Sequence, residues 1–264
     1  MLVGTARYRS FFYDRRIYSQ VKLLVEIISQ RCHLMSSMAN CEKRLRALFR
    51  GADAVCFDVD STVCQDEAID ELAKFAGRER EVEEMTRKAM RGGITFRDAL
   101  SRRLDLIQPS VAMLEDYLET HPPLFTPGIR ELVKLLHQHG VHVYLVSGGF
   151  QTIIEPVARE LDIPMKNIFA NRLKFYFNGD YAGFDENQPT SRQDGKAQVV
   201  KYLKQYYGYQ RLVMVGDGAT DLAACPPADG FIGFGGNQVR EKVKQESKWF
   251  AGCFSELIDE LKKN

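Results

Sequence analysis

The sequence has little that would suit a nucleic-acid-binding, membrane or disulfide-stabilised protein. Its 36 lysines and arginines are offset by 35 acids, and a net charge of +1 gives no electrostatic basis for binding nucleic acid. The apolar stretch 21–28 is interrupted by Lys22 and Glu26 and is too short to span a bilayer. The six cysteines include no C-x-x-C pair, and Cys56 falls in an apolar run. We therefore expect a cytoplasmic protein in a reducing compartment, with no nucleic-acid or membrane partner.

Residues 1–40 differ in composition from the rest of the chain. They hold six arginines and lysines but only two acids, Asp14 and Glu26. Arginine-rich, acid-poor segments occur in organelle transit peptides, whereas the order of regions typical of a secretory signal is missing. We expect a disordered or loosely helical extension here, and organelle targeting by it stays open. Met35 and Met38 precede the globular pattern, and either is a candidate alternative start.

Beyond this segment, apolar runs alternate with amphipathic stretches of helical spacing. Continuous apolar runs are typical of strands that are buried on both faces, and the helices between them must cross over the sheet. The pattern predicts an α/β fold with a doubly wound parallel sheet. The runs expected to form its strands are Ala54–Phe57, Val141–Val146, Leu212–Val215 and Gly230–Phe234.

Two stretches interrupt this alternation. Residues 66–124 carry only helical patterns, so we expect a small helical cap inserted after the first strand, with a catalytic core formed by residues 41–65 and 125–264. Further along, Asn178-Gly179 separates the apolar stretches Ile168–Phe177 and Tyr181–Phe184. Asn-Gly is the preferred pair of a two-residue turn, which predicts a β-hairpin.

Polar turns follow three of the four predicted strands. Because the carboxyl ends of parallel strands meet at one edge of a sheet, we expect these turns to lie side by side. Carboxylates crowded there cannot all ionise without a cation, and oxygen ligands favour Mg²⁺. The histidines lie away from the strand ends, and no histidine or cysteine cluster favours zinc. Asp58 and Asp60 follow the first strand, Ser147, Gly148 and Gly149 the second, and Asp217 and Asp221 the third.

Glycine-rich turns and a serine hydroxyl beside Mg²⁺ suit a phosphoryl group. Lys196 begins a helix and could add positive charge, although a lysine there is more often only solvated. Phosphoryl transfer needs charge neutralisation and in-line positioning, and an aspartate can act as nucleophile through an aspartyl phosphate. A second aspartate two residues on, as Asp60 is from Asp58, faces the same side of an extended chain and can serve as general acid and base.

In chain order these motifs resemble those of the haloacid-dehalogenase-like phosphatases. Further stretches resemble the phosphoserine-hydrolysing branch of that family in animals, namely Met85–Met90, Leu106–Ser110, Asn171–Gly179 and Cys225–Asp229. The resemblance runs from about residue 45 to the C-terminus and leaves residues 1–40 outside it. The four motifs are Asp58-Val59-Asp60-Ser61-Thr62, Ser147-Gly148-Gly149, Lys196 and Gly216-Asp217-Gly218-Ala219-Thr220-Asp221.

The resemblance implies a division of roles. Asp58 would be the nucleophile and a Mg²⁺ ligand, and Asp60 the acid and base, with its backbone carbonyl on the metal. Asp217 and Asp221 would complete the metal site. The core residues implied to bind substrate are Ser61, Ser147, Gly148, Gly149, Lys196 and Thr220.

The same resemblance implies that the cap selects the substrate. Glu67 and Arg103 stand where the family meets the ammonium and the carboxylate of O-phosphoserine, a pairing that suits one anion and one bidentate cation. Met90 and Phe96 resemble apolar cap contacts, and Arg91, also in the substrate-binding set, stands where members usually have glycine. The implied reaction is Mg²⁺-dependent hydrolysis of O-phospho-L-serine, the last step of L-serine biosynthesis. Members of the family are often dimeric, so a homodimer is open.

Two other functions remain open from the sequence. The chain could hydrolyse another small phosphomonoester, such as phosphoethanolamine, or transfer its phosphoryl group to an acceptor alcohol. It could also be a non-enzymatic module that holds an aspartyl phosphate as a signal. The acid/base candidate Asp60 argues against a long-lived phosphoenzyme.

Overall fold

The computed structural model describes residues 39–90 and 93–263, with the backbone alone at Met90. Contacts divide the chain into residues 1–43 and 44–264, and the fold belongs to the second unit. The expected extension lies outside the described residues, apart from residues 39 and 40, which are helical. Within the described part, no helix combines the length and the apolar character needed to cross a bilayer.

Eight strands lie in the described ranges: β1 (Ala54–Phe57), β2 (His142–Phe150), β3 (Ile168–Asn171), β4 (Leu173–Phe175), β5 (Tyr181–Phe184), β6 (Leu212–Gly216), β7 (Gly230–Phe234) and β8 (Trp249–Ala251). Six of them form a parallel sheet in the order β3-β2-β1-β6-β7-β8, and β4 and β5 form an antiparallel pair. The predicted α/β class with a doubly wound parallel sheet is confirmed. The sequence predicts the inner strands, whereas β3 and β8 add one strand at each edge.

Helices cover both faces of the sheet. They are α1 (residues 39–50), α2 (Ala68–Phe75), α3 (Glu79–Met90), α4 (Phe96–Ile107), α5 (Val111–Thr120), α6 (Ile129–Gln138), α7 (Gln151–Glu160), α8 (Gly195–Tyr207), α9 (Ala219–Leu222), α10 (Glu241–Glu246) and α11 (Phe254–Leu261). Successive side chains of β1 point to opposite faces. Val55 and Phe57 join a core with α6, α7 and α11, and Ala54 and Cys56 join a second core with α8. Burial on both faces explains why this strand is continuously apolar.

The segment between β1 and α6 contains α2 to α5 and no strand among its described residues. These helices share a third core, in which Leu72, Leu100, Leu104 and Leu114 are buried. Phe150 and the hairpin strand β5 pack against the same core. The helical content agrees with the sequence pattern, while the division into a cap of residues 66–124 and a core of residues 41–65 and 125–264 stays a prediction.

The predicted hairpin is wrong in one of its arms. Ile168–Phe177 forms two strands instead of one, because Ile168–Asn171 joins the main sheet beside β2 and only Leu173–Phe175 pairs with β5. The difference follows burial. Ile168, Ala170 and Asn171 are buried, whereas exposed and half-buried residues alternate from Arg172 to Tyr176, as in a hairpin with one solvated face.

Candidate active site

The carboxyl ends of β2, β1 and β6 meet at one edge of the sheet, as the sequence predicts. Phe57 pairs in register with Leu145 of β2 and with Val215 of β6. β1 and β6 end near this level, whereas β2 continues, with a shift of register against β3, through the glycine-rich turn Ser147-Gly148-Gly149 to Phe150, so the predicted end of that strand at Val146 is wrong. The residues that this edge brings together are Asp58, Ser147 and Asp217.

A buried lysine joins two of the predicted acids. The Nζ atom of Lys196 lies 2.7 Å from Asp58 Oδ1 and 2.6 Å from Asp221 Oδ1, and all three side chains are buried. Burial alone would lower the pKa of Lys196, but Asp221 and Asp58 raise it well above its ordinary value. Burial and the nearby charge of Asp58 raise the pKa of Asp221. Lys196 is therefore a buried positive charge of the site and not a solvated helix-start lysine.

Three of the predicted metal ligands form a compact set of oxygen donors. Asp58, Asp217 and Asp221 each offer an oxygen, these oxygens lie within 4.8 Å of one another, and the three residues are buried. Oxygen donors at such separations suit Mg²⁺, whose ligands lie about 2.0–2.1 Å from the ion. The residues present therefore fit the predicted metal. The side chain of Asp60 lies outside this set, and its predicted contact through the backbone carbonyl stays a prediction.

Asp60 instead faces the glycine-rich turn. Its Oδ1 accepts from the Ala68 N–H at 2.9 Å, and its Oδ2 accepts from Ser147 Oγ at 3.2 Å. The Gly149 N–H donates to that hydroxyl at 2.8 Å. A Cβ atom at Gly149 would lie 2.9 Å from Asp60 Oδ2, so this close approach requires glycine. Desolvation of the carboxyl group, together with the charges of Glu67 and Asp58, raises the pKa of Asp60 to about 7.

Arg240 is a site residue that the sequence reasoning missed. Its Nε donates to Asp217 Oδ2 at 2.6 Å, and its Nη2 donates to Glu67 Oε1 at 3.0 Å. Glu67 Oε1 also accepts from Ser61 Oγ at 2.9 Å. Arg240 thus compensates the charge of a predicted metal ligand and links it to a predicted substrate ligand. It follows β7, whose polar turn of Gly235, Gly236 and Asn237 at the same sheet edge was the available signal.

Asn171 is a second missed residue. Its Nδ2 donates to the Gly148 carbonyl at 2.7 Å, and its Oδ1 accepts from Thr190 Oγ1 at 3.1 Å. Both side chains are buried. The pair holds the backbone of the glycine-rich turn against the loop that precedes α8, the helix of Lys196.

The turn after Asp58 carries one more predicted site residue, Ser61, followed by Thr62. Ser61 is buried with a positive φ of 54°, and the Asn237 amide donates to its carbonyl at 3.1 Å. Thr62 Oγ1, in the same turn, donates to Asp217 Oδ1 at 3.3 Å. Thr220 is half-buried in the first turn of α9, one residue before Asp221.

Of the predicted cap residues, Glu67 immediately precedes α2, and Phe96 and Arg103 lie on α4. The ring of Phe96 lies 3.4 Å from the position that a Cβ at Gly148 would take. Arg103 Nε donates to the Ala99 carbonyl at 3.2 Å, and no described carboxylate lies within ion-pair distance of its guanidinium. Burial lowers its pKa, while the charges of Asp70, Glu67 and Asp60 act in the opposite direction. The side chain of Met90 and all of Arg91 lie outside the described residues.

Comparisons with known proteins agree with this geometry. A family model described as a haloacid dehalogenase-like hydrolase matches residues 52–229. The chain belongs to the haloacid dehalogenase-like hydrolases. The expected family is thereby confirmed.

Named members of the family are similar over most of the chain. Phosphoserine phosphatase of Mus musculus is 59% identical over 217 residues, which are 82% of this chain and 96% of that protein. The chloroplastic phosphoserine phosphatase of Arabidopsis thaliana is 50% identical over 221 residues, or 83% of this chain and 75% of its own. A solved structure, a phospho-aspartyl intermediate analogue of phosphoserine phosphatase, has a TM-score of 0.68 at 28% identity and covers 79% of this chain and 98% of that chain.

The Lys196 contacts generate a test of stability in this family member. We expect Lys196→Met, in metal-free buffer at neutral pH, to lower the free energy of unfolding by roughly 3–5 kcal/mol, because it leaves Asp58 and Asp221 buried without their cation. A lysine with a raised folded-state pKa contributes fully below its unfolded pKa, and the contribution is lost as pH rises through the folded value. The deficit should therefore be complete at neutral pH and shrink only in alkali.

Denaturant unfolding followed by circular dichroism measures this difference. Lys262→Met is the matched control, because Lys262 pairs with Glu131 on the surface, and it should change stability little. Equal stabilities of the Lys196→Met variant and the unmodified chain at neutral pH would contradict the role given to the buried contact.

Proposed function

We propose that this chain is a Mg²⁺-dependent phosphatase that hydrolyses O-phospho-L-serine to L-serine and inorganic phosphate. One observation carries the proposal: Lys196 contacts Asp58 and Asp221 at the sheet edge where Asp217 also lies. The names of its close relatives support the same substrate.

The two oxygens of Asp58 differ in their surroundings. Oδ1 accepts from the Val59 N–H at 2.7 Å and contacts Lys196, whereas Oδ2 has no hydrogen-bond partner among the described residues. Oδ2 is therefore the oxygen that attacks phosphorus. Its bond to phosphorus forms as the bond from phosphorus to the serine oxygen breaks, which gives an aspartyl phosphate.

Asp60 moves the protons of both steps. It donates a proton to the departing serine oxygen and then accepts one from the water that attacks the phosphoenzyme. That attack breaks the bond to Asp58 and releases inorganic phosphate. The Ala68 N–H holds the carboxyl group in place for both transfers.

Charge around the phosphoryl group is handled by fixed groups. Asp58, Asp217 and Asp221 would hold Mg²⁺, which supplies charge neutralisation to the phosphoryl oxygens. Lys196 adds a buried positive charge. Ser147 and the N–H groups of Gly148 and Gly149 would bind phosphoryl oxygens, which requires the Ser147 hydroxyl to turn from Asp60 and the Gly149 N–H to turn from Ser147.

In this proposal, the cap residues Glu67 and Arg103 select phosphoserine among phosphomonoesters. Arg103 has no described carboxylate partner and is available to the carboxylate of phosphoserine. Glu67 uses only Oε1 for Ser61 and Arg240, which leaves Oε2 for the ammonium group. Phe96 and, from the family resemblance, Met90 and Arg91 would close the site above the phosphate.

The place of this activity in the cell and its assembly are also proposals. We place the reaction in L-serine biosynthesis in the cytoplasm, with organelle targeting by residues 1–40 as the alternative. The plant relative is chloroplastic by name, which supports keeping that alternative. A homodimer is proposed on family resemblance alone.

Phosphate release from O-phosphoserine, measured with Mg²⁺ and with a chelator, tests the activity. We expect turnover that requires Mg²⁺, and we expect Asp58→Asn to abolish it with the fold intact by circular dichroism, because an amide is a poor nucleophile. Faster release from phosphoethanolamine would favour the other-substrate alternative. A phosphoenzyme that persists for minutes would favour the signalling module.

Arg103→Ala tests the origin of specificity. Removing a charged hydrogen-bond partner of the substrate should raise the KM for phosphoserine by roughly ten- to hundredfold. The KM for an aryl phosphate, which has no carboxylate beside its phosphoryl group, should change much less. Arg102→Ala is the control, since Arg102 is exposed on the same helix. Equal losses on both substrates would remove Arg103 from carboxylate recognition.

A further inference from the structure

Arg97 joins helix α4 to the loop that precedes α8. Its Nη2 donates to the Glu186 carbonyl at 2.9 Å and to Ser191 Oγ at 3.0 Å. Its Nη1 also lies 3.6 Å from a carboxylate oxygen of Glu186, whose side chain is 69% exposed. Because an exposed ion pair contributes little, the contacts with the carbonyl and with buried Ser191 define the connection.

The loop that Arg97 contacts supports both sides of the phosphate site. A Cβ at Gly195 would lie 2.0 Å from the Pro189 carbonyl oxygen, so the turn Pro189–Ser191 lies directly against the start of α8, which carries Lys196. From the same turn, Thr190 reaches Gly148 through Asn171. This turn is therefore held by the start of α8 and by the glycine-rich turn, and it offers α4 a fixed point on the core.

On the cap side, Arg97 lies beside the residues that face the substrate. The ring of its neighbour Phe96 lies 3.4 Å from the position that a Cβ at Gly148 would take. Arg103 follows Phe96 by seven residues, a spacing that returns to the same face of a helix. Fixing the first turn of α4 on the core therefore sets the position of both side chains.

The chemistry of the contact also argues against simple stabilisation. Arg97 Nε is buried with no hydrogen-bond partner among the described residues. A buried, unpaired donor is destabilising, whereas an apolar side chain would cover the same surface without that cost. An arginine that offers two directed donors is suited to fixing a position.

We propose that Arg97 is a positioning residue that fixes α4 on the Pro189–Ser191 turn and thereby aligns Arg103 and Phe96 with the phosphate site. The substrate class in this proposal rests on the proposed function. The contact between Arg97 and the Pro189–Ser191 turn does not depend on that function.

The test compares Arg97→Met and Arg97→Lys with Arg102→Met, which alters an exposed arginine on the same helix. Arg97→Met should lower kcat/KM for phosphoserine by roughly ten- to hundredfold. Hydrolysis of an aryl phosphate, which does not use Arg103, should fall by less than about threefold on the same reasoning. Ser191→Ala should lower kcat/KM less than Arg97→Met does. The double variant should be no worse than Arg97→Met alone, because both substitutions remove the same Arg97–Ser191 hydrogen bond.

Hydrogen–deuterium exchange provides a readout apart from activity. Arg97→Met should speed exchange in Phe96–Ile107 and in residues 186–191, while Arg97→Lys should do so less and Arg102→Met not at all. Unchanged exchange in both segments, or equal loss on both substrates, would overturn the proposal. If Arg97→Met does not fold, Arg97→Lys and Ser191→Ala carry the same comparison. If the unmodified chain hydrolyses only the aryl phosphate, the proposed function is wrong. The exchange measurement would still show whether Arg97 fixes α4 on the Pro189–Ser191 turn.

Discussion

The site depends on compensating several carboxylates that the sheet edge forces into one buried volume. Carboxylates this close to one another raise each other's pKa unless a cation lies beside them. A buried carboxylate that loses its cation destabilises the fold strongly. Lys196 provides this compensation for Asp58 and Asp221, and Arg240 provides it for Asp217. Both cations come from outside the strands that carry the acids, so the loops and helices around the sheet must be placed accurately for the acids to be tolerated.

This arrangement also separates the chemical tasks within one small site. Lys196 and the Val59 N–H both use Asp58 Oδ1, which leaves Oδ2 for attack. The Asp60 side chain lies outside the acid cluster and contacts Ser147 of the glycine-rich turn. Arg240 contacts both Glu67 and Asp217, so the proposed ammonium site and the proposed metal site share one cation. A substitution at either site should therefore alter binding at the other.

The sequence was sufficient for what local pattern and strand topology determine. Continuous apolar runs predict the inner strands, and parallel topology then predicts that Asp58, Ser147 and Asp217 meet. It was insufficient where contacts between distant parts of the chain determine the structure. The run from Ile168 divides between two sheets because only its first residues are buried beside β2. In the sequence nothing marks Asn171 or Arg240 as a site residue. Their roles depend on the contacts with Gly148 and Asp217, which only the folded chain forms. The predicted roles of Met90 and Arg91 and of the segment 1–40 lie beyond what the structure describes.

The most direct measurement of the account is chemical trapping of the nucleophile. Borohydride reduces an acyl phosphate to an alcohol, so the enzyme denatured during turnover of phosphoserine and then reduced should carry homoserine in place of the attacking aspartate. Peptide mass spectrometry locates that residue. The account predicts homoserine at position 58, and only when substrate was present. Homoserine at position 60 or elsewhere, or none at all during demonstrable turnover, would contradict it.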